Sequence, residues 1–280
     1  MKKSWLTNAV LLIAVAALGG FVYFKPRSDQ PATYAVSMLA SAQVTTLRLE
    51  RAGQAPVALE KRDGIWHITA PVTAPADAFQ VQRLLDILDA RASGRLAATD
   101  LARFDLERPA ARLTIDAQTF SFGTVSSVAH EQYVLSGDAV YTLEPRYGAA
   151  LPADFTQLIR RRLLADSEMP ARFEFDDFAV ENSGGRWRLA PAPASDVSQD
   201  DFNRWVDDWR LASALRVVPY NGKNKPVARI LIAFGNGEKL SVGILQREPE
   251  LVLLRPDLNL QYSFFTEVGR KLLMPPAHKE

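Results

Sequence analysis

The residues of this chain whose types lend themselves to chemistry are three histidines, five tryptophans and a run of three arginines, Arg160, Arg161 and Arg162. Histidine offers a base near neutral pH or a metal ligand, but here the three stand apart, at 67, 130 and 278. His67 follows Trp66 in an alternating run and so takes the opposite, wetter face. His130, beside Glu131 ahead of a strand, reads as a solvated side chain, and His278 belongs to the terminal tail. There is no His-Glu-x-x-His helix, no Gly-x-Ser-x-Gly elbow and no Gly-x-x-x-x-Gly-Lys loop. With no cysteine, thiol catalysis, cysteine-held iron–sulfur clusters and disulfides are excluded. The expectation is a chain without catalytic residues, metal or cofactor.

Trp66 and Trp187 could stack a ligand. As partners of Ile68 and Leu189 on the inner face of a strand, however, they read as core residues under a helix. The three arginines follow Phe155, Leu158 and Ile159 and have a partial echo in Arg270-Lys271. They could meet acidic lipid headgroups, at about 1 kcal/mol per charge; the preferred reading is the last turn of a helix, where cations complement the dipole. Arg83 and Arg204 are candidates to line a cleft between two modules.

The elements that must position these residues emerge from the pattern. The chain has 280 residues, 48% apolar and 23% charged, enough for a folded core. Lys plus Arg is 33 against 32 Asp plus Glu, so a net charge of +1 provides no field to hold nucleic acid. From Trp5 to Phe24 only Thr7 and Asn8 are plainly polar, with Lys2 and Lys3 before and Lys25 and Arg27 after. Such a segment is about 30 Å long as a helix, the thickness of a bilayer core. Residues 1–24 are therefore expected to form a transmembrane anchor, in contact with membrane through residues 5–24. The alternative is a cleaved signal peptide, for which Ala14-Val15-Ala16 supplies the small-x-small site, although the apolar run continues past it. A short leading flank and a large body favour a single-pass protein of a bacterial inner membrane with a periplasmic body. Residues 25–43 read as a linker.

The body matches itself. Adding 121 takes Gly64 to Gly185, Trp66 to Trp187, Arg83 to Arg204, Asp86 to Asp207 and Arg95 to Arg216. Further on, Ala111–Ile115 answers Ala228–Ile232, Phe120–Gly123 answers Leu240–Gly243, Tyr133–Leu135 answers Leu251–Leu253 and Phe155–Leu158 answers Phe265–Val268. This predicts two modules, 44–166 and 171–274. Alternation at Leu47/Leu49, Leu113/Ile115 and Phe120/Phe122 predicts antiparallel strands. Val81, Leu84, Leu85 and Leu88 form a helical stripe, repeated by Phe202, Trp205, Val206 and Trp209. Asp77 and Ser198 stand where caps belong. The expected fold is α+β, each module a curved antiparallel sheet with packed helices and a closing helix.

After its apolar span the chain carries Leu59-Glu60-Lys61-Arg62-Asp63-Gly64-Ile65-Trp66, Pro71 with Ala76-Asp77, and Arg103-Phe104-Asp105-Leu106-Glu107-Arg108-Pro109. Phe122-Gly123, Tyr133-Val134 and Val140-Tyr141 follow. In these it resembles DUF4340, a domain of unknown function in bacterial membrane-anchored proteins. The family usually reads Phe-Gly-Leu where this chain has Asp105. The resemblance implies an uncharacterised envelope protein, some relatives lying near ABC-type export or gliding-type components, and it transfers no catalytic residues. The function expected is a non-enzymatic envelope protein that binds another membrane or periplasmic component. The alternative is a periplasmic ligand-binding protein or weakly marked enzyme using the cleft between modules.

Overall fold

The computed structural model describes residues 10–17, 33–192 and 197–276. Residues 10–17 are helical, and the rest of the expected span at 5–24 lies outside the described residues. Among the described residues no helix is long and apolar enough to cross a membrane.

The body is mostly antiparallel β-sheet with few helices. One antiparallel sheet runs, in spatial order, Ala74–Pro75, Ile65–Ala70, Val57–Arg62, Thr46–Arg51, Ala111–Ile115, Gln118–Val125, Gln132–Ser136, Ala139–Leu143, Gly94–Ala97. The other runs Arg186–Ala190, Ala179–Ser183, Pro170–Glu174, Ala228–Phe234, Lys239–Gln246, Leu251–Arg255, Leu260–Phe264, Arg216–Pro219. Apart from the short Ala74–Pro75 strand, the two sheets have the same strand order, each with a helix inserted after its third strand, Ala78–Leu85 and Gln199–Leu211. Alternation sends one face of each strand inward, and one contiguous buried cluster draws residues from both sheets.

The helices form where the stripes predict them. Asp77 caps the first by accepting from the Phe79 and Gln80 amides. Leu84, Leu85 and Leu88 are all buried, Leu88 on the 3-10 turn Asp86–Asp89 that extends the helix. Ser198 and Asp201 form a full capping box on the second, whose inward face is Trp205, Val206 and Trp209. Hydrogen bonds from Ser198, and then Arg204, outweigh burial and hold the Asp201 carboxyl down at about 2. Since that lies below the ordinary 3.8, its contribution is present above pH 4 and lost as the pH falls through about 2. The stability difference between wild type and Asp201→Asn, measured by urea unfolding, is therefore expected to narrow between pH 4 and pH 2.

Three expectations need correction. The closing helix of the first module does not include Arg160–Arg162. After Leu143 the chain makes a short helix, Arg146–Ala149, then a 3-10 turn, Phe155–Leu158, and then runs extended. The Arg160 amide donates to Pro75 O, and Arg161 O accepts from the Ala214 amide, so this segment bridges backbone of both halves. A helix would keep those groups for itself. Second, the linker 25–43 is not loose in its described part: Tyr34–Ala35 pairs with Arg91–Ala92, and Val36 is buried. Third, the ladders shift two sequence matches. Val134 lies opposite Phe122 and Tyr141, as Leu253 lies opposite Ile244 and Tyr262. Phe122 thus corresponds to Ile244, two residues beyond the expected Val242, and Val134 to Leu253, one beyond the expected Val252. A two-residue slip preserves the inward face, so alternation cannot detect it.

Asp105 has φ 56°, the left-handed conformation that glycine takes most easily. The turn is kept, and Phe104 and Leu106 on either side pack on the outer face of the first sheet with Val140. A β-branched residue is poorly tolerated there. Asp105→Val is expected to cost about 1–2 kcal/mol in urea unfolding, with Asp105→Gly at or slightly above wild type.

Candidate functional site

The two sheets share more than strand order. In each, a lead-in segment crosses the end of the hairpin made by the two strands before the last, and in each a polar side chain fastens it there. In the first sheet Gln118 Nε2 donates to Val36 O at 3.0 Å and to Ser136 Oγ at 2.9 Å, while Ser37 Oγ donates to Gln118 Oε1 at 2.6 Å. In the second, Arg255 does this work. Its Nη1 donates to Leu163 O at 2.7 Å, its two Nη atoms reach both Glu168 oxygens at 2.9 Å, and Nη2 and Nε reach Asp257 at 2.7 and 3.2 Å. All N–H donors of the guanidinium are thereby satisfied. The Arg255 side chain is 5% exposed. Burial pushes its pKa down, but the hydrogen bonds and charges of Asp257 and Glu168 outweigh this and raise it. The hydroxyl of Tyr262 is buried without a hydrogen-bond partner, and burial pushes it up to about 12.

Beside each fastening lies a groove. The first, about 840 Å³, is lined by the lead-in residues Val36 to Leu39, Gln118, Ser136, Asp138 and Tyr141. The second, about 560 Å³, is lined by Glu168, Lys239, Arg255 and Asp257 among others. Ser136 and Arg255 occupy matching places, each the last residue of its strand and paired across the hairpin, Ser136 with Ala139 and Arg255 with Leu260. Where the second sheet has a long arginine, the first has a small hydroxyl and the larger groove. Asp138 carries an ion pair to Arg95 at 3.2 Å, and Tyr141 is the hydrogen-bond partner that first raises the Arg95 pKa.

The residues singled out from sequence fall elsewhere. Trp66 and Trp187 are 7% and 8% exposed, on matching strands. Arg83 and Arg204 do not share a cleft. Arg83 lines a groove with Asp86 and Arg146, and Arg204 lines another with Asp201 and Lys271, one beside each helix. Both are exposed, Arg204 in an ion pair with Asp201 and Arg83 donating to Gln80. Arg161 and Arg162 are exposed, Arg162 pairing with Asp166 at 2.5 Å. His67 is half-buried with Nδ1 3.1 Å from Ile65 O, His130 is exposed, and His278 lies outside the described residues. Among the described residues no cluster of His, Cys, Asp or Glu could hold a metal ion. Sequence reasoning passed over Ser136 and Arg255 because the match of Tyr133–Leu135 to Leu251–Leu253 sets Ser136 against Leu254, one residue short of its structural counterpart.

One edge is closed by a side chain. Gln199 Oε1 accepts from the Trp187 amide at 2.8 Å and its Nε2 donates to Trp187 O at 2.9 Å, imitating a neighbouring strand. The corresponding carbonyl, Trp66 O, accepts from the Ala76 amide. Gln199→Ala is expected to cost about 1–2 kcal/mol, and hydrogen exchange should show the Trp187 amide losing protection.

Two of the three comparisons with known proteins are silent: no curated protein and no solved structure matches this chain. A family model described as Domain of unknown function (DUF4340) matches residues 66–225, from the strand bearing Trp66 through the first sheet and on past the helix of the second. The chain belongs to the DUF4340 family.

Proposed function

We propose that this chain is a non-enzymatic envelope protein, anchored in a bacterial inner membrane by residues 5–24, whose body was made by duplicating one folding unit and binds another membrane or periplasmic component. The observation carrying this reading is the groove that recurs at the same hairpin in both sheets. In the second sheet it is floored by the protein's own Arg255, and in the first it is left larger and open. The finer division, an anchor, a linker and modules near 44–166 and 171–274, belongs to the same proposal.

Placement supports it too. The first groove is lined by the lead-in residues themselves, and Phe24 to Tyr34 can span at most about 35 Å. A groove so close to the anchor faces components in or on the same membrane, among which an export-type complex is one candidate. The aliphatic side chains at its mouth, Met38 and Leu39, are 95% and 37% exposed.

The test is photo-crosslinking in intact cells, with a benzophenone amino acid at Met38 and, as control, at Arg62, an exposed residue away from the groove. A discrete adduct from position 38 and none from 62 is the expected result. Equal or absent adducts at both would defeat the reading. A body digested by protease only after the inner membrane is opened would defeat the periplasmic placement.

A further inference from the structure

We propose that the groove of the first sheet binds the guanidinium of an arginine side chain presented by a partner polypeptide, at the place where the second sheet holds its own Arg255. This rests on the partner-binding reading of the same groove and names the chemistry of what it takes.

The argument is a comparison of two copies. In the second, the guanidinium joins three things: a lead-in carbonyl, Leu163 O; the hairpin carboxylate, Asp257; and the lead-in carboxylate, Glu168. In the first, the hairpin carboxylate is present as Asp138, two residues after Ser136 as Asp257 is two after Arg255, and its side chain is 90% exposed. Arg95 approaches one of its oxygens, Oδ1, which leaves Oδ2 for another donor among the described residues. The place of Glu168 is taken by the neutral Gln118 amide, whose Oε1 accepts from Ser37 Oγ and whose Nε2 already donates to Val36 O and Ser136 Oγ; an incoming guanidinium has Asp138 Oδ2 and the remaining lone pairs of these neutral oxygens, so the external pair is weaker than the internal one. What the first copy lacks is the cation: Ser136 stands where Arg255 does, and the neutral Gln118 fastens the lead-in segment instead.

The geometry selects the cation and its carrier. A planar fork can bond a carboxylate and neighbouring neutral oxygens together, whereas an ammonium acts as a point charge and satisfies fewer of them. Among the described lining residues Asp138 is the one charged group. Nothing there pairs with the α-carboxylate of free arginine, while Met38, Leu39 and Leu135 offer apolar surface to residues flanking an arginine within a chain.

The intact protein in detergent should be titrated with N-acetyl-arginine N-methylamide, free arginine and N-acetyl-lysine N-methylamide, followed by saturation-transfer NMR. The blocked arginine is expected to saturate at a Kd of about 1 mM, at least about tenfold tighter than the other two. Ser136→Arg, which supplies its own guanidinium, and Asp138→Asn, which removes the carboxylate, should each weaken it about tenfold or more while keeping the wild-type melting temperature or raising it. Asp138→Asn serves should the larger substitution fail to fold. Equal binding of the lysine compound, or equal binding to wild type and both variants, would overturn the proposal. A Met38 crosslink that survives unchanged in Ser136→Arg would overturn the arginine assignment and leave partner binding standing. Loss of the crosslink in both variants would support both readings.

Discussion

Replacing Arg255 by alanine is expected to destabilise the protein by about 3–5 kcal/mol. The guanidinium is 5% exposed and Glu168 is 20% exposed, so the truncation strands a largely buried carboxylate and the carbonyl of Leu163 without their donor. The cost is that of an uncompensated charge and carbonyl, rather than the net worth of an ion pair. A double variant discriminates. Arg255→Met with Glu168→Gln removes both charges while retaining volume, and is expected to recover at least half of the loss in urea unfolding. A loss below about 1 kcal/mol for Arg255→Ala would show that the fastening of the lead-in segment is dispensable. The consequence reaches beyond the second sheet, because the same segment, through Arg160, bonds to Pro75 of the first. Loosening it should expose residues 159–169 to limited proteolysis before the protein melts.

Trp209→Ala is the second large effect, at about 3–5 kcal/mol. Trp209 is fully buried, its Nε1 donates to Leu272 O at 3.1 Å, and its ring lies 5.4 Å from Phe173 and 6.2 Å from Trp205. Truncation opens a cavity between helix Gln199–Leu211 and sheet and leaves a carbonyl of the closing helix Thr266–Leu273 without its donor. Trp209→Phe fills most of the volume without the hydrogen bond and should fall between, at about 1–2 kcal/mol. Trp66→Ala or Trp187→Ala acts on a core residue at the corresponding strand and is expected to cost about as much as Trp209→Ala. Thermal melts of these variants within a degree or two of wild type would remove the tryptophans from the core.

How much of this was legible depends on range. The helix stripes, their caps and the alternation of strands are local, and the residues that carry them ended up buried or capping as their spacing implies: Leu84, Leu85, Trp205, Val206, Trp209, Asp77 and Ser198. The segment 155–166 misled because Phe155, Leu158 and Ile159 also fit a helical stripe. Its backbone instead found partners in Pro75 and Ala214, far away in sequence, and tertiary hydrogen bonds overrode a short local preference.

The candidate site shows the same division more sharply. Asp138, Ser37 and Gln118 carry no motif, and Arg255 looked like one arginine among many until the ladders set it opposite Leu260 and against Glu168. What the sequence by itself determined is the pair of similar units, their inward faces and the family, because repetition and periodicity are properties of order along the chain. The tertiary structure alone decided the register of the later strands, the path of the bridging segment and the two grooves. Pairing across a sheet and contact between distant hairpins depend on loop lengths and on slips of one or two residues between the copies, and a slip of two leaves every inward face unchanged.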